Sequence, residues 1–80
     1  MPIVLLINGF KFFFYSNEIN EPIHIHVTKG DGNAKIWLLP IIKFEYAYNF
    51  SNKDLKTIMN IVVKNKEVIK NKWNEYFKKR

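Results

Sequence analysis

The stretch Glu21–Trp37, EPIHIHVTKGDGNAKIW, decides how the chain is read. Along Ile23–Lys29, alternation puts Ile23, Ile25 and Val27 on one side and His24, His26 and Thr28 on the other. That is the period of a half-buried strand. Gly30-Asp31-Gly32-Asn33 reads as a hairpin turn, because these residue types tolerate the backbone of a tight reversal. Ala34 to Leu39 then returns alongside, and Pro40 stops that strand or confines it to an edge. The apolar triplet must face a core. The two histidines are therefore expected on the less buried face, near enough to act together.

Upstream, Ile3–Ile7 is a continuous aliphatic run closed by Asn8-Gly9, the strongest short hairpin signal between apolar segments. Phe10–Tyr15, FKFFFY, is the second strand, with Phe10, Phe12 and Phe14 on one face and Lys11, Phe13 and Tyr15 on the other. SNEINEP, closed by Pro22, is a polar loop leading into the central hairpin. Ile41–Tyr48 is a fifth, less regular strand.

Past Phe50 the period changes. Ser51 is placed as a helix N-cap, Asp54 at N3 completes a capping box, and Phe50 with Leu55 forms a hydrophobic staple. Leu55, Ile58, Met59, Val62, Ile69, Trp73, Tyr76 and Phe77 fall on one helical stripe, interrupted only by Lys66. The unbroken register favours a single helix of roughly 40 Å, in a domain expected to be only about 30 Å across. Either the helix projects, or it breaks near Lys64-Asn65-Lys66, or a second copy covers its end. The distal stripe of Ile69, Trp73, Tyr76 and Phe77 is too apolar to stay wet. It must fold back over the sheet or meet a partner, including another copy in a homodimer.

Composition bounds the function. Eighty residues make one domain (1–50 β-rich, 51–80 a basic amphipathic helix), with no cysteine for a disulfide or thiolate metal site. Stability must come from the 48% of hydrophobic residues, 16% of the chain being aromatic. The opening MPIVLLING is too short for a membrane span and lacks a basic start, so a cytoplasmic protein with no membrane partner is the expectation. The net charge of +6 is uneven: four lysines and four acids cancel over residues 1–50, and nine Lys/Arg face Asp54, Glu67 and Glu75 beyond. Such asymmetry points to nucleic acid or an acidic protein, or to a lysine-rich solvated helix.

Three readings of the histidine pair stay open. His24 and His26 could hold a divalent metal with Glu18 or Glu21, although i, i+2 spacing alone is a weak signal. They could do acid–base chemistry on a phosphodiester, with Tyr15, Ser16, Lys29 and Lys35 as neighbours. HVT matches the His-x-Thr element of two-histidine phosphoesterases, but those enzymes use it twice. Or the rings only orient strands and loops, bonded to Tyr15, Asn17 or Glu18. Trp37 beside Lys35 could stack a base, or be an ordinary sheet tryptophan. GDG lacks the following helix a phosphate loop needs.

FFFYSNE (Phe12 to Glu18), P-x-H-x-H-V (Pro22, His24, His26, Val27), A-K-x-W (Ala34, Lys35, Trp37) and the helix ending in Trp73 together resemble a family of small bacterial proteins, domain of unknown function 4160. The resemblance covers nearly the whole chain. It implies a shared site at Tyr15, Ser16, Asn17, Glu18, His24, His26, Lys35 and Trp37. It also implies a cognate small protein encoded alongside, in a two-component module of toxin–antitoxin type.

The expected fold is α+β: a four- or five-stranded, mainly antiparallel sheet with the long C-terminal helix on one face. Two functions follow. One is action on nucleic acid or a cognate protein, up to RNA cleavage, with His24 or His26 as acid/base and Lys29 and Lys35 on phosphate. The other is a non-catalytic domain that binds an acidic partner through Lys64, Lys66, Lys70 and Lys72 and buries Ile69, Trp73, Tyr76 and Phe77 in it.

Overall fold

The computed structural model describes residues 3–15 and 20–77. Five strands, β1 (Ile3–Ile7), β2 (Phe10–Phe13), β3 (His24–Lys29), β4 (Gly32–Trp37) and β5 (Lys43–Tyr48), form one antiparallel sheet in chain order. Two helices follow, α1 (Asn52–Lys64) and α2 (Lys66–Phe77). The α+β arrangement expected from the sequence is what the chain adopts.

The turns are where composition places them. Asn8 and Gly9 have φ of 53° and 82°, so both central residues are left-handed as a type I′ hairpin requires. The β3–β4 reversal is tighter than the four residues suggest: Lys29 pairs with Gly32, leaving Gly30 (φ 59°) and Asp31 as the loop. Gly32 belongs to β4 and has a packing role. A Cβ there would sit 2.4 Å from Cε1 of Phe50, so only glycine lets that ring lie against the strand.

Strand alternation sorts the sheet into two faces. Phe12, Val27, Ala34 and Ala47 form one cross-strand row, and Ile25, Ile36 and Phe44 the next. These rows meet Ile58, Ile61 and Val62 of α1 in the main core. The opposite face carries the rows Leu6–Lys11–Thr28–Asn33–Tyr48, Phe13–His26–Lys35–Tyr46 and His24–Trp37–Lys43.

α1 begins as its sequence prescribes. Ser51 Oγ accepts from the Asp54 amide at 3.0 Å, and the Ser51 amide donates to Asp54 Oδ2 at 3.3 Å. The capping box is complete.

The single long helix is not formed. At Asn65 the backbone leaves helical geometry (φ −109°, ψ 20°), while the Asn65 amide and its Nδ2 both donate to the Ile61 carbonyl. The side chain thus adds a second donor to a carbonyl that already accepts from the Asn65 amide. The kink redirects α2, so Ile69, Trp73 and Phe77 are buried within the same chain and Tyr76 packs against them. Of the outcomes left open for this helix, the break near Lys64-Asn65-Lys66 is the one the chain adopts, and the stripe is buried within the same chain.

Replacing Gly32 by alanine should lower stability by about 1–3 kcal/mol through overpacking against Phe50. In a thermal-unfolding cycle, Phe50→Ala should remove much of that penalty, because the two sites share one contact. Full wild-type stability in Gly32→Ala alone would show that the ring gives way at no cost.

Candidate functional site

The candidate site is built on the face of the sheet away from the main core, at the end where β2 stops and β3 starts. Alternation places both histidines on that face as expected, but they are not open to water. His24 is fully buried and His26 is 5% exposed. The cause is the size of their neighbours. The His26 ring stacks on Phe13 at 5.7 Å and meets the edge of Tyr15 at 4.5 Å. His24 meets Trp37 at 5.3 Å and His26 at 5.2 Å. Trp73, brought in by α2, closes on His24 at 5.1 Å and on Phe14 at the same distance. The expected exposed pair is therefore a pair of rings packed in an aromatic cluster.

His24 is also fixed by a hydrogen bond, its Nδ1 donating to the Pro22 carbonyl at 2.9 Å. A carbonyl only accepts, so this nitrogen carries the proton. Glu21 lies 4.0 Å from the same nitrogen and makes its close contact elsewhere, accepting from Lys35 Nζ at 2.7 Å. The Lys35 ammonium also sits over the Trp37 ring, 4.5 Å from its centre. Trp37 in turn donates from Nε1 to Glu45 at 2.6 Å. The β4–β5 register shifts at this point, so that Lys35 faces Tyr46 and Ile36 faces Phe44, and Glu45 can turn toward the indole. Glu21, Lys35, Trp37 and Glu45 thus form a continuous chain of polar contacts across the sheet.

Farther along the same face, Tyr46 and Tyr48 stack with ring centres 5.4 Å apart. Tyr48 and Tyr15 are exposed and Trp37 is half-exposed. Lys11 and Lys43 stand beside them, both exposed. Glu45, Tyr46 and Tyr48 were not singled out from the sequence, although the alternation in FEYAY carries the signal.

Of the remaining candidates, Lys29 is not part of this group: its Nζ lies over the Phe10 ring at 4.6 Å, beside the Asn8-Gly9 turn. Ser16, Asn17 and Glu18 lie outside the described residues. Among the described residues no group of three or more His, Asp or Glu side chains is placed to hold a metal ion. No helix among them is long and apolar enough to cross a membrane. On the helices, Lys64, Lys66 and Lys72 are exposed, and Lys70 is half-buried near Glu67. The lysines therefore remain at the surface without the apolar stripe that was to accompany them.

The profile of a family described as Domain of unknown function (DUF4160) matches residues 9–74, which hold the aromatic cluster, the Glu21–Lys35–Trp37–Glu45 chain and Trp73. The chain belongs to this family. The match begins at Gly9, so DUF4160 takes in β2 to β5, α1 and most of α2 but not β1. No curated protein and no solved structure matches the chain.

The His24–Trp73 contact joins the site to α2 and can be measured. His24→Ala and Trp73→Ala should each cost about 2–4 kcal/mol by opening a buried site. Their double-mutant cycle in denaturant unfolding should give a coupling of roughly 0.5–1.5 kcal/mol. Strict additivity would mean the two rings are neighbours without energetic connection.

Proposed function

We propose that the domain binds single-stranded nucleic acid on the open sheet face, and that it does so without cleaving it. The observation that supports this is the interleaving of rings and ammonium groups on one surface. Tyr15, Trp37, Tyr46 and Tyr48 alternate with Lys11, Lys35 and Lys43 on the side opposite α1. Flat aromatic faces stack on bases of any sequence, and flanking lysines neutralise the phosphates between them. The +6 charge of the chain adds long-range attraction for the same polymer.

Cleavage would demand more. A phosphodiester reaction needs one group to take a proton and another to deliver one. His24 is sealed and holds its Nδ1 proton on Pro22, so the chemistry would fall on His26, itself 95% covered. The burial of the rings favours a structural role that fixes Tyr15, Lys35 and Trp37 in place. In a two-component module of the kind the family resemblance raises, this domain would be the member that contacts nucleic acid. Binding of an acidic protein along the helices is the weaker reading, because Ile69, Trp73 and Phe77 are already buried and only charge remains to attract it.

Fluorescence anisotropy with a short labelled oligouridylate tests the proposal. Trp37→Ala and Tyr48→Ala should each weaken binding roughly 5- to 150-fold, the range for loss of one base–aromatic stack. Charge reversal at Lys56 on α1 should change affinity far less, and raised salt should weaken binding throughout. Intact oligonucleotide after long incubation is expected for wild type and His26→Ala alike. Absence of binding at low salt, or equal losses for the α1 and sheet-face variants, would overturn the assignment.

A further inference from the structure

The polar side chains of the outer sheet face are not all engaged alike. Lys35 is held by Glu21 and the Trp37 ring, the Trp37 indole by Glu45, and Asn49, just past β5, donates to the Asp31 carbonyl. The row Lys11–Thr28–Asn33–Tyr48 differs. Asn33 is exposed, and among the described residues neither its amide nor the Thr28 hydroxyl is hydrogen-bonded. Asparagine is a poor strand residue, and this one makes no polar contact inside the domain in return. Asn33 stands directly across the ladder from Tyr48, so their side chains leave the sheet about 5 Å apart. The Tyr48 ring is backed on one face by Tyr46 and is 59% exposed.

Given the single-stranded nucleic-acid binding proposed for this face, on which the assignment rests, we infer that Asn33 reads the base and that the base is adenine. A base that extends the Tyr46–Tyr48 stack lies beside the Asn33 amide, and a planar amide offers an acceptor and a donor side by side. Adenine answers that pair on both of its hydrogen-bonding edges, with N6–H beside N7 and N6–H beside N1. Guanine answers it on one edge only, because its N7 and O6 are both acceptors. Pyrimidines also pair with an amide, but they cover less of a tyrosine ring than a purine does. In a single strand these edges are open, since no complementary strand occupies them. Thr28, on the other side of Asn33, holds a hydroxyl that donates or accepts, and Lys11 at the end of the row supplies charge for the adjoining phosphate.

Anisotropy titrations with three short labelled strands test the assignment: oligoadenylate, oligouridylate, and an oligoadenylate dimethylated at N6, which keeps the ring but lacks the N6–H donor. Wild type should bind oligoadenylate the most tightly. Asn33→Ala, confirmed as folded by circular dichroism, should weaken oligoadenylate binding roughly 5- to 150-fold, the range for loss of one bidentate base contact. The same variant should change binding of the other two strands far less. Comparing wild type with variant on one strand at a time cancels the self-stacking of that strand. Tyr48→Ala should weaken binding of all three. Equal losses for Asn33→Ala on every strand, or none, with Tyr48→Ala still impaired, overturn the adenine assignment and leave the stacking face standing. No binding of any strand by wild type, or full affinity in Tyr48→Ala, removes both.

Discussion

A straight helix from Asn52 to Phe77 would run about 39 Å at 1.5 Å per residue, beyond the 36 Å long dimension of the molecule. It would also carry Ile69, Trp73 and Phe77 into water. Bending at Asn65 removes both problems, and helical hydrogen bonds continue through the bend, from the Asn65 amide to the Ile61 carbonyl and from the Ile69 amide to the Asn65 carbonyl. Everything at the β2–β3 end of the sheet depends on that bend. It brings Trp73 onto His24 and Phe14, and Phe77 onto Trp73 and Phe14, closing a core that α1 alone reaches only through Ile58, Ile61 and Val62. In a small domain without disulfides, these ring contacts replace covalent staples.

The same closure decides what kind of chemistry the outer face can offer. A histidine works as a proton carrier when water or substrate can reach its nitrogens. Here aromatic neighbours crowd both rings, and His24 is held by a carbonyl. What they support is a set of groups one layer farther out: Lys35, shared between Glu21 and the Trp37 ring, and Glu45, bonded to the Trp37 indole. Each of these contacts limits a long or rotatable side chain to one orientation. A surface of that kind is pre-organised, and pre-organisation reduces the entropy lost when a ligand is bound.

The local features were legible in the sequence because they are decided within a few residues. Asn8-Gly9, Gly30, Ser51 with Asp54, and the alternation of β3 each act over a turn or less. Gly32 reads as a turn residue because its reason, the Phe50 ring, lies 18 positions away. The burial of His24 was missed for a similar reason. Strand alternation says which face a side chain takes, while coverage of that face comes from Trp73, on an element whose path depends on Asn65. Ile61 is buried without belonging to the stripe read from the sequence. Long-range coverage, more than secondary structure, separated the expected site from the observed one.

Charge and ring chemistry are segregated in this molecule, and that segregation bears on how any polymer would be held. The outer sheet face has Lys11, Lys35 and Lys43 near Glu21 and Glu45, so it is close to neutral, whereas the positive excess of the chain lies beyond residue 50, half of it on the two described helices. Attraction at a distance would come chiefly from the helices and affinity at contact from stacking on the sheet, so salt should act more on encounter than on the seated complex. A single face of this size offers only a few stacking positions.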